Sequence, residues 1–369
     1  MTVKEKKVEL IELFYDLIYV YAISRLTALV EEPVGGGIPL GGFLRYLVVC
    51  FVILQAWLYL TNYVNRYGTW TWYEYALTAV NMTAAVYMAN TISEAWEDMA
   101  LTFNLAMLVM LACVAALYFI QTKAHPETAG AAKNSLLNLG IVLGAYLLAC
   151  IASLMGLHGL VIWLDVTAVL LGAFLPFFLR GDFDASIISF PHLVERFELL
   201  TIVTFGECVV SMTGYFDVLH FTLRPILIFA IVLTLYGSYV TQIHYLCEHH
   251  QVARALRLMF SHYFIVIAVN LVTVDFHLLE NPGSSHRFIA LLMLGALALF
   301  IIALCANGVY YKEKYRLTAQ DSLMIAAVFV AGAIPVLVWR DSIYALLGGT
   351  LFISAGSFLL LLTKYRKKS

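Results

Sequence analysis

The sequence predicts an all-α membrane protein with about 12 transmembrane helices in two parallel six-helix repeats. Hydrophobic residues make up 62% of the 369-residue chain and charged residues only 12%, about half the charged fraction of ordinary soluble domains. Because so few charges cannot cover a water-exposed surface, most of the exterior is expected to face lipid. The other two observations are the number of long apolar runs and an acidic pattern that occurs once in each half.

The apolar runs supply the helix count. Twelve of them approach the length of about 20 residues that an α-helix needs to cross the hydrocarbon layer, and they divide equally before and after residue 180. The first run, 8–30, and the seventh, 191–213, are the ones interrupted by charges. An even number of crossings gives both halves the same orientation in the membrane, so we predict parallel repeats over 1–183 and 184–369.

The basic residues predict the orientation. With the N-terminus in the cytoplasm, most of the 22 Lys and Arg residues fall on the cytoplasmic side, as the positive-inside rule requires. Both termini are therefore predicted to be cytoplasmic. Glu9, Glu12 and Asp16 interrupt the apolar run that follows the basic N-terminus, so we expect no cleaved signal peptide and a first helix that remains in the mature protein.

The first predicted helix carries an acidic stripe. Glu9, Glu12, Asp16 and Tyr19 fall on one side of it at helical spacing. Asp16 lies about 12 Å along the helix from its predicted start at residue 8. A charged side chain at the centre of a membrane helix costs about 2.5 to 3.5 kcal/mol on insertion scales, so this side is expected to face protein or a water-filled cavity. Three converging acids of this kind suit a proton or cation site. The alternatives are an interfacial cap for Glu9 and Glu12 and a salt bridge from Asp16 to Arg66 or Arg196.

The seventh predicted helix carries a second acidic set. His192, Glu195 and Glu198 share one side near its start. Glu207 lies much deeper and, on a straight helix, points away from Glu198. Gly206 directly before it is a position where a helix can bend or approach a neighbour closely. Glu207 is our principal candidate for function, and the alternative is a protonated glutamate hydrogen-bonded between helices.

These two segments carry a family resemblance. Glu12–Ile23, with the sequence ELFYDLIYVYAI, resembles the ELFFDLVFVFAI signature of the bacterial low temperature requirement A family. His192–Phe197 and Gly206–Val210 resemble its HxxERFG and GESVV elements, and Tyr63–Arg66 resembles its aromatic-Asn-Arg segment. Glu198 departs from the pattern, which has Gly there, and this bears on how closely that face packs. The resemblance covers essentially the whole chain and implies a multi-pass protein of the bacterial inner membrane, tied by name to growth in the cold, with no established substrate or reaction.

The remaining polar residues are assigned by their surroundings. Arg66 and His262 are expected to neutralise the acids or relay protons to them. The segment 244–250 is rich in His but matches no zinc spacing, so we interpret it as a solvated helix end and predict no metal ion and no cofactor. The aromatic residues from Trp57 to Tyr73 are interpreted as an interfacial belt. The predicted ion, proton or substrate site therefore consists of Glu12, Asp16, Arg66, His192, Glu195, Arg196, Glu198, Glu207 and His262.

These predictions favour a proton- or cation-coupled secondary transporter or ion-translocating protein, with its carboxylate site between the two halves. The alternatives are a membrane enzyme acting on a lipid or isoprenoid, with Asp16 or Glu207 as general acid or base, and a non-catalytic role in membrane adaptation. No phosphate-binding loop or serine-hydrolase motif is present, which disfavours an enzyme. The expected partners are the lipid bilayer and an unidentified small molecule or ion. The sequence contains no basic tract of the kind that binds nucleic acid. It gives no indication of the oligomeric state.

Overall fold

The computed structural model describes residues 5–30, 32–93, 96–178, 187–217, 219–253 and 255–367. The structure is 84% helical, and no β-strand occurs among the residues it describes. The predicted all-helical fold class is therefore confirmed. The predicted boundary between residues 183 and 184 lies outside the described residues, and the two-repeat arrangement stays a prediction.

Twelve α-helices follow one another along the described chain. They are α1 (Leu10–Ala28), α2 (Leu40–Tyr67), α3 (Trp72–Thr91), α4 (Trp96–Ala124), α5 (Ala129–Leu154), α6 (His158–Phe178), α7 (Phe190–Met212), α8 (Arg224–Val240), α9 (Leu256–Glu280), α10 (His286–Ala306), α11 (Ala319–Val338) and α12 (Ile343–Arg366).

Nine of the helices in the described chain are long and apolar enough to cross a membrane, namely α2, α4, α5, α6, α8, α9, α10, α11 and α12. Large apolar side chains on these helices, such as Leu148, Trp163 and Ile302, are more than half uncovered by protein. Such surfaces are costly in water and suit hydrocarbon. The chain is thus a multi-pass helical membrane protein, and the predicted count of 12 crossings stays a prediction.

The chain divides into two compact units. The first unit comprises Met1–Leu29, Leu40–Arg196 and Gln251–Arg254. Within it α3, α4, α5 and α6 pack in sequence, α2 packs on α4 and α6, and α1 packs on α3 and α2. The boundary to the second unit falls inside α7, directly after Arg196.

The second unit comprises Val30–Pro39, Phe197–His250 and Ala255–Ser369. In this unit α9 packs on α10, α12 packs on α8 and α11, and α10 also touches α11 and α12. Helix α9 is the most enclosed of the candidate spans, because 89% of its 18-residue apolar stretch is buried inside the protein. It also carries the buried polar residues His262, Asn270 and Asp275.

Helix α1 is amphipathic in the opposite sense to a helix of a soluble protein. Glu12, Asp16 and Tyr19 are buried against protein, while Phe14 and Leu17 are more than half uncovered. This arrangement follows from placing the polar stripe inside the helix bundle and the apolar stripe outside it, which is what a lipid surrounding favours. The structure shows the predicted orientation toward protein for these three residues of the stripe, whereas Glu9, at the start of the helix, is exposed.

Candidate functional site

Four side chains meet in the first unit, where α1 lies beside the first turns of α7. We call them the charged cluster: Glu12 and Asp16 from α1, His192 and Arg196 from α7. None is more than 1% exposed. The two residues on each helix are four positions apart, which stacks them on one face one turn from each other. The same spacing on both helices lets two acids face two basic groups.

Arg196 bridges the two acids. Its Nη1 lies 2.5 Å from Glu12 Oε2 and its Nη2 lies 2.6 Å from Asp16 Oδ1. The planar guanidinium group presents its donors in a fixed fork, so one arginine can bind two carboxylates at once. Its Cζ also lies 5.5 Å from the centre of the Trp57 ring, within the range of a cation–π contact. Of the two salt-bridge alternatives for Asp16, the structure forms the one with Arg196.

Asp16 uses its two oxygens unequally. Oδ1 accepts a hydrogen bond from Trp57 Nε1 at 2.7 Å as well as the one from Arg196. Oδ2 is buried and has no hydrogen-bond partner among the described residues. A buried carboxylate oxygen without a donor is destabilised unless it holds a proton or meets another positive group. The described residues therefore supply hydrogen-bond donors to only one of the two carboxylate oxygens of Asp16.

The two carboxylate oxygens of Glu12 make different contacts. Its Oε1 accepts the backbone N–H of Glu9 at 3.3 Å, which satisfies a donor at the start of α1. Its Oε2 binds Arg196 and lies 3.0 Å from His192 Nε2. Glu12 is thus both the partner of the N-cap residue Glu9 in the capping box of α1 and a member of the charged cluster.

His192 is held from its other side by Asn65 of α2. Asn65 Nδ2 lies 3.0 Å from His192 Nδ1 and 2.8 Å from the Ser189 carbonyl oxygen, while Asn65 Oδ1 accepts the Ser189 N–H at 3.2 Å. The pair of bonds to the Ser189 backbone fixes which way the amide of Asn65 points. Helix α2, through Trp57 and Asn65, therefore supports both halves of the cluster.

The segment before α1 is tied to the same end of α2. Lys6 Nζ donates to the Gly68 carbonyl oxygen at 2.7 Å and also to the carbonyl of Val64. A cation at a helix C-terminus complements the negative end of the helix dipole. A Cβ on Gly68 would lie only 2.9 Å from the Val64 carbonyl oxygen, so a residue without a side chain is needed at this contact.

Two other predicted site residues of the first unit have different surroundings. Glu195 is exposed, although it lies between His192 and Arg196 in the sequence, because its side chain points to another face of α7. Arg66 is half-buried, and its Nη1 lies 3.4 Å from Ser135 Oγ of α5. Neither contributes to the contacts that define the charged cluster.

Three predicted site residues belong to the second unit. Glu198 and Glu207 are half-buried, and Ser211 Oγ donates to Glu207 Oε1 at 3.4 Å. Helix α7 runs through Gly206 without interruption. His262 is buried, with Nδ1 2.7 Å from the Leu258 carbonyl oxygen and Nε2 3.0 Å from the Tyr239 hydroxyl. These contacts give Glu207, our principal candidate, no cationic partner like the one Arg196 supplies to Glu12 and Asp16.

Sequence reasoning missed two supporting residues of the cluster. Trp57 is completely buried and donates to Asp16, so its assignment to an interfacial aromatic belt is wrong. Asn65 appeared only as part of the aromatic-Asn-Arg segment, and its contact partners lie more than 120 positions away in the chain. That four-residue segment, Tyr63–Arg66, was the one signal that pointed to it.

Comparison with known proteins agrees with the resemblance seen in the sequence. The model of the family described as bacterial low temperature requirement A protein (LtrA) matches residues 7–356, a range that includes every residue of the charged cluster. No curated protein and no solved structure matches the chain. On the strength of a match over nearly its entire length, the chain belongs to the bacterial low temperature requirement A family.

Proposed function

We propose that the protein is a proton- or cation-coupled secondary transporter or ion-translocating protein, and that the charged cluster is its ion site. The observation that carries this proposal is a completely buried pair of acids sharing one arginine, with one carboxylate oxygen left without a donor. A purely structural ion pair gains nothing from an unsatisfied oxygen, because each such atom costs free energy. A site that takes up and releases an ion needs one.

The energetics of membrane transport support this assignment. Moving one elementary charge through a membrane potential is worth about 2.3 kcal/mol per 100 mV, so a single buried acid is enough to couple a potential to a conformational change. Acids inside membrane proteins commonly mark ion pathways. In terms of the predicted halves, Glu12 and Asp16 belong to 1–183, and His192 and Arg196 belong to 184–369, as expected for a site shared by two repeats.

We further propose that the protein resides in the bacterial plasma membrane with both termini in the cytoplasm, as the distribution of Lys and Arg indicates. In this orientation the start of α1 and its cap at Glu9 lie on the cytoplasmic side. The charged cluster then lies toward the cytoplasmic end of α1, because Glu12 and Asp16 fall within the first two turns of this helix.

The test is proton flux in vesicles. Purified protein is reconstituted into liposomes that contain a pH-sensitive dye, a potassium gradient with valinomycin sets the membrane potential, and the internal pH is followed. We expect wild-type protein to carry protons and Asp16→Asn to reduce the rate to that of protein-free vesicles. Repeating the assay with inward sodium or potassium gradients distinguishes a coupled metal cation from a proton.

The matched control is Glu195→Gln. Glu195 lies between the two α7 members of the cluster but is exposed, so its neutralisation is expected to leave the flux unchanged. Wild-type vesicles that carry no ion under any of these gradients, or an Asp16→Asn protein that carries ions at the wild-type rate, would contradict the proposed function.

A further inference from the structure

The hydrogen bonds around His192 determine where its proton lies. The amide of Asn65 points its NH₂ group at the Ser189 carbonyl oxygen and its oxygen at the Ser189 N–H. The same NH₂ group faces His192 Nδ1 at 3.0 Å, so Nδ1 must accept a hydrogen bond and carries no proton. The proton of the neutral imidazole is then on Nε2, 3.0 Å from Glu12 Oε2, which can only accept.

A second proton on His192 is disfavoured by the same geometry. Protonation of Nδ1 would set its N–H against the NH₂ group of Asn65, and turning that amide over would break both of its bonds to the Ser189 backbone. Each buried polar group left without its partner costs about 1 to 3 kcal/mol. His192 is therefore held neutral, with its Nε2 3.0 Å from Glu12 Oε2, and does not serve as the charge carrier.

With His192 neutral, the charged cluster has an excess of negative charge. Two carboxylates, Glu12 and Asp16, share the single cation Arg196. Both oxygens of Glu12 have donors, and Oδ1 of Asp16 has two. The unmatched charge thus has one atom on which to be neutralised, and that atom is Asp16 Oδ2.

Building on the proposed function, we infer that the ion bound by the charged cluster is a proton, and that it is carried on Oδ2 of Asp16. The titratable or charged groups that act on Asp16 are Arg196 from α7, together with Glu12 and Tyr15 on α1 itself, while α2 contributes the indole of Trp57. Tyr15 is hydrogen-bonded to Tyr19 at 2.9 Å and does not supply a positive charge.

A proton fits this position better than a metal cation. Sodium, potassium and divalent ions need several oxygen ligands, and no group of three or more acidic, histidine or cysteine side chains able to hold a metal is found among the described residues. A metal ion on Oδ2 would also lie close to the guanidinium group that binds the other oxygen of the same carboxylate. A proton needs only the one free oxygen.

Infrared difference spectroscopy of the purified full-length protein tests the inference without relying on transport. A protonated carboxylic acid has a carbonyl stretching band that an ionised carboxylate lacks. Each buried acid can contribute such a band, so the band of Asp16 is identified as the component of the wild-type spectrum that is missing from Asp16→Asn. We expect this component to be present in wild-type protein and to disappear as the pH is raised. The amide that replaces the acid keeps a carbonyl oxygen for Trp57 and Arg196 and places its NH₂ group where Oδ2 stood.

The matched control is Asp165→Asn. Asp165 on α6 is another fully buried acid of the first unit with one oxygen lacking a partner, but it has no arginine beside it in the described contacts. The component assigned to Asp16 is expected to survive this substitution, which removes only the component that Asp165 itself contributes. A pH-sensitive spectrum that is the same in Asp16→Asn as in wild type, or one whose only titrating component is lost in Asp165→Asn, would overturn the inference.

Two further measurements keep the test decisive if Asp16→Asn is poorly folded. In Trp57→Phe the ionised form of Asp16 loses a hydrogen-bond donor, so the band should persist to higher pH than in wild type; an unshifted band contradicts the assignment. Nitrogen-15 NMR, assigned by comparison with His192→Gln, should show His192 as the neutral Nε2–H form across the same pH range. An imidazolium signal that titrates together with the infrared band would place the proton on His192 instead.

The outcomes separate this inference from the proposed function. A titrating Asp16 band in a protein that moves no ions would refute transport and leave the proton site standing. If Asp16→Asn still carries ions and its infrared spectrum is unchanged from wild type, then Asp16 neither binds the proton nor takes part in transport.

Discussion

Asp16 and Glu74, two buried acids of the first unit, are stabilised in opposite ways. Glu74 lies at the start of α3 and is 2% exposed. Its Oε2 accepts from the backbone N–H of Thr71 at 2.7 Å and from the hydroxyls of Thr69 and Thr71, and its Oε1 accepts from the Tyr63 hydroxyl at 3.1 Å. Asp16 has a full positive charge beside one oxygen, and the described residues supply no donor to the other.

The difference shows that burial alone does not mark a functional acid. Glu74 is surrounded by neutral donors on both oxygens, as expected for a helix-capping residue in which every bond favours one fixed state. Asp16 has a surrounding that supports both an ionised and a protonated form. The proposed function accordingly gives Glu74 a structural role and Asp16 an ion-binding role.

The largest effect is expected from removing the cation of the charged cluster. Arg196→Met leaves Glu12 and Asp16 buried without a positive partner, and breaking a buried ion pair in this way costs about 3 to 5 kcal/mol. Thermal unfolding of the detergent-solubilised variant should therefore begin far below the wild-type temperature. A variant that unfolds at the wild-type temperature would show that Arg196 does not stabilise the two acids.

Neutralising the acids as well should reverse most of this loss. In the triple variant Arg196→Met, Glu12→Gln, Asp16→Asn no charge of the ion-paired set is left unpaired, and replacing a whole buried ion-pair network is often close to neutral. The melting temperature of the triple variant is expected to lie well above that of Arg196→Met alone. Equal melting temperatures would attribute the loss to packing around the arginine side chain.

A smaller effect is expected at the indole that supports Asp16. Trp57→Phe removes the 2.7 Å hydrogen bond to Oδ1 and keeps an aromatic ring near Arg196. Hydrogen bonds to charged groups contribute about 1.5 to 3 kcal/mol, so the variant should unfold at a moderately lower temperature. If the melting temperature is unchanged, the bond to Asp16 is not a stabilising one.

Glu74→Gln should have a weaker effect on stability and none on function. Glutamine keeps the length of the side chain and one acceptor oxygen, so the loss is expected to be about 1 kcal/mol, the net value of one ordinary hydrogen bond. Unfolding in detergent measures the loss. A drop as large as that of Arg196→Met would make the comparison with Asp16 invalid.

The smallest effect is expected at Glu195. This side chain is exposed on α7, and surface substitutions away from special features usually change stability by about 0.5 kcal/mol or less. Glu195→Gln should therefore match the wild type in melting temperature. A clear loss of stability would mean that Glu195 has a partner that the described contacts do not include.

Part of the site followed from residue spacing alone. The four-residue spacing of Glu12 and Asp16 placed them on one face of α1 that cannot face lipid, and Arg196 was one of two named salt-bridge partners for Asp16. The helical class followed equally directly from composition, because nothing but helices satisfies the backbone across an apolar layer in a chain of this pattern.

The rest depended on contacts between distant segments. Asn65 and Ser189 are 124 positions apart, and no local pattern shows that the amide of one will orient the histidine that follows the other. Trp57 was read as part of a belt because aromatic residues near a predicted membrane interface are commonly exposed there. Glu207 was chosen because it lies far from the start of the seventh predicted helix. That position does not show whether a cation lies beside its carboxylate.

The most direct test of the central claim compares Asp16→Asn with Glu74→Gln in the same proton-flux assay, at equal amounts of reconstituted protein. We predict that Asp16→Asn falls to the rate of protein-free vesicles while Glu74→Gln keeps the wild-type rate, because of these two acids Asp16 is the one with a buried carboxylate oxygen that has no hydrogen-bond partner among the described residues. Equal rates for the two variants, whether both active or both inactive, would contradict the assignment of the ion site to Asp16.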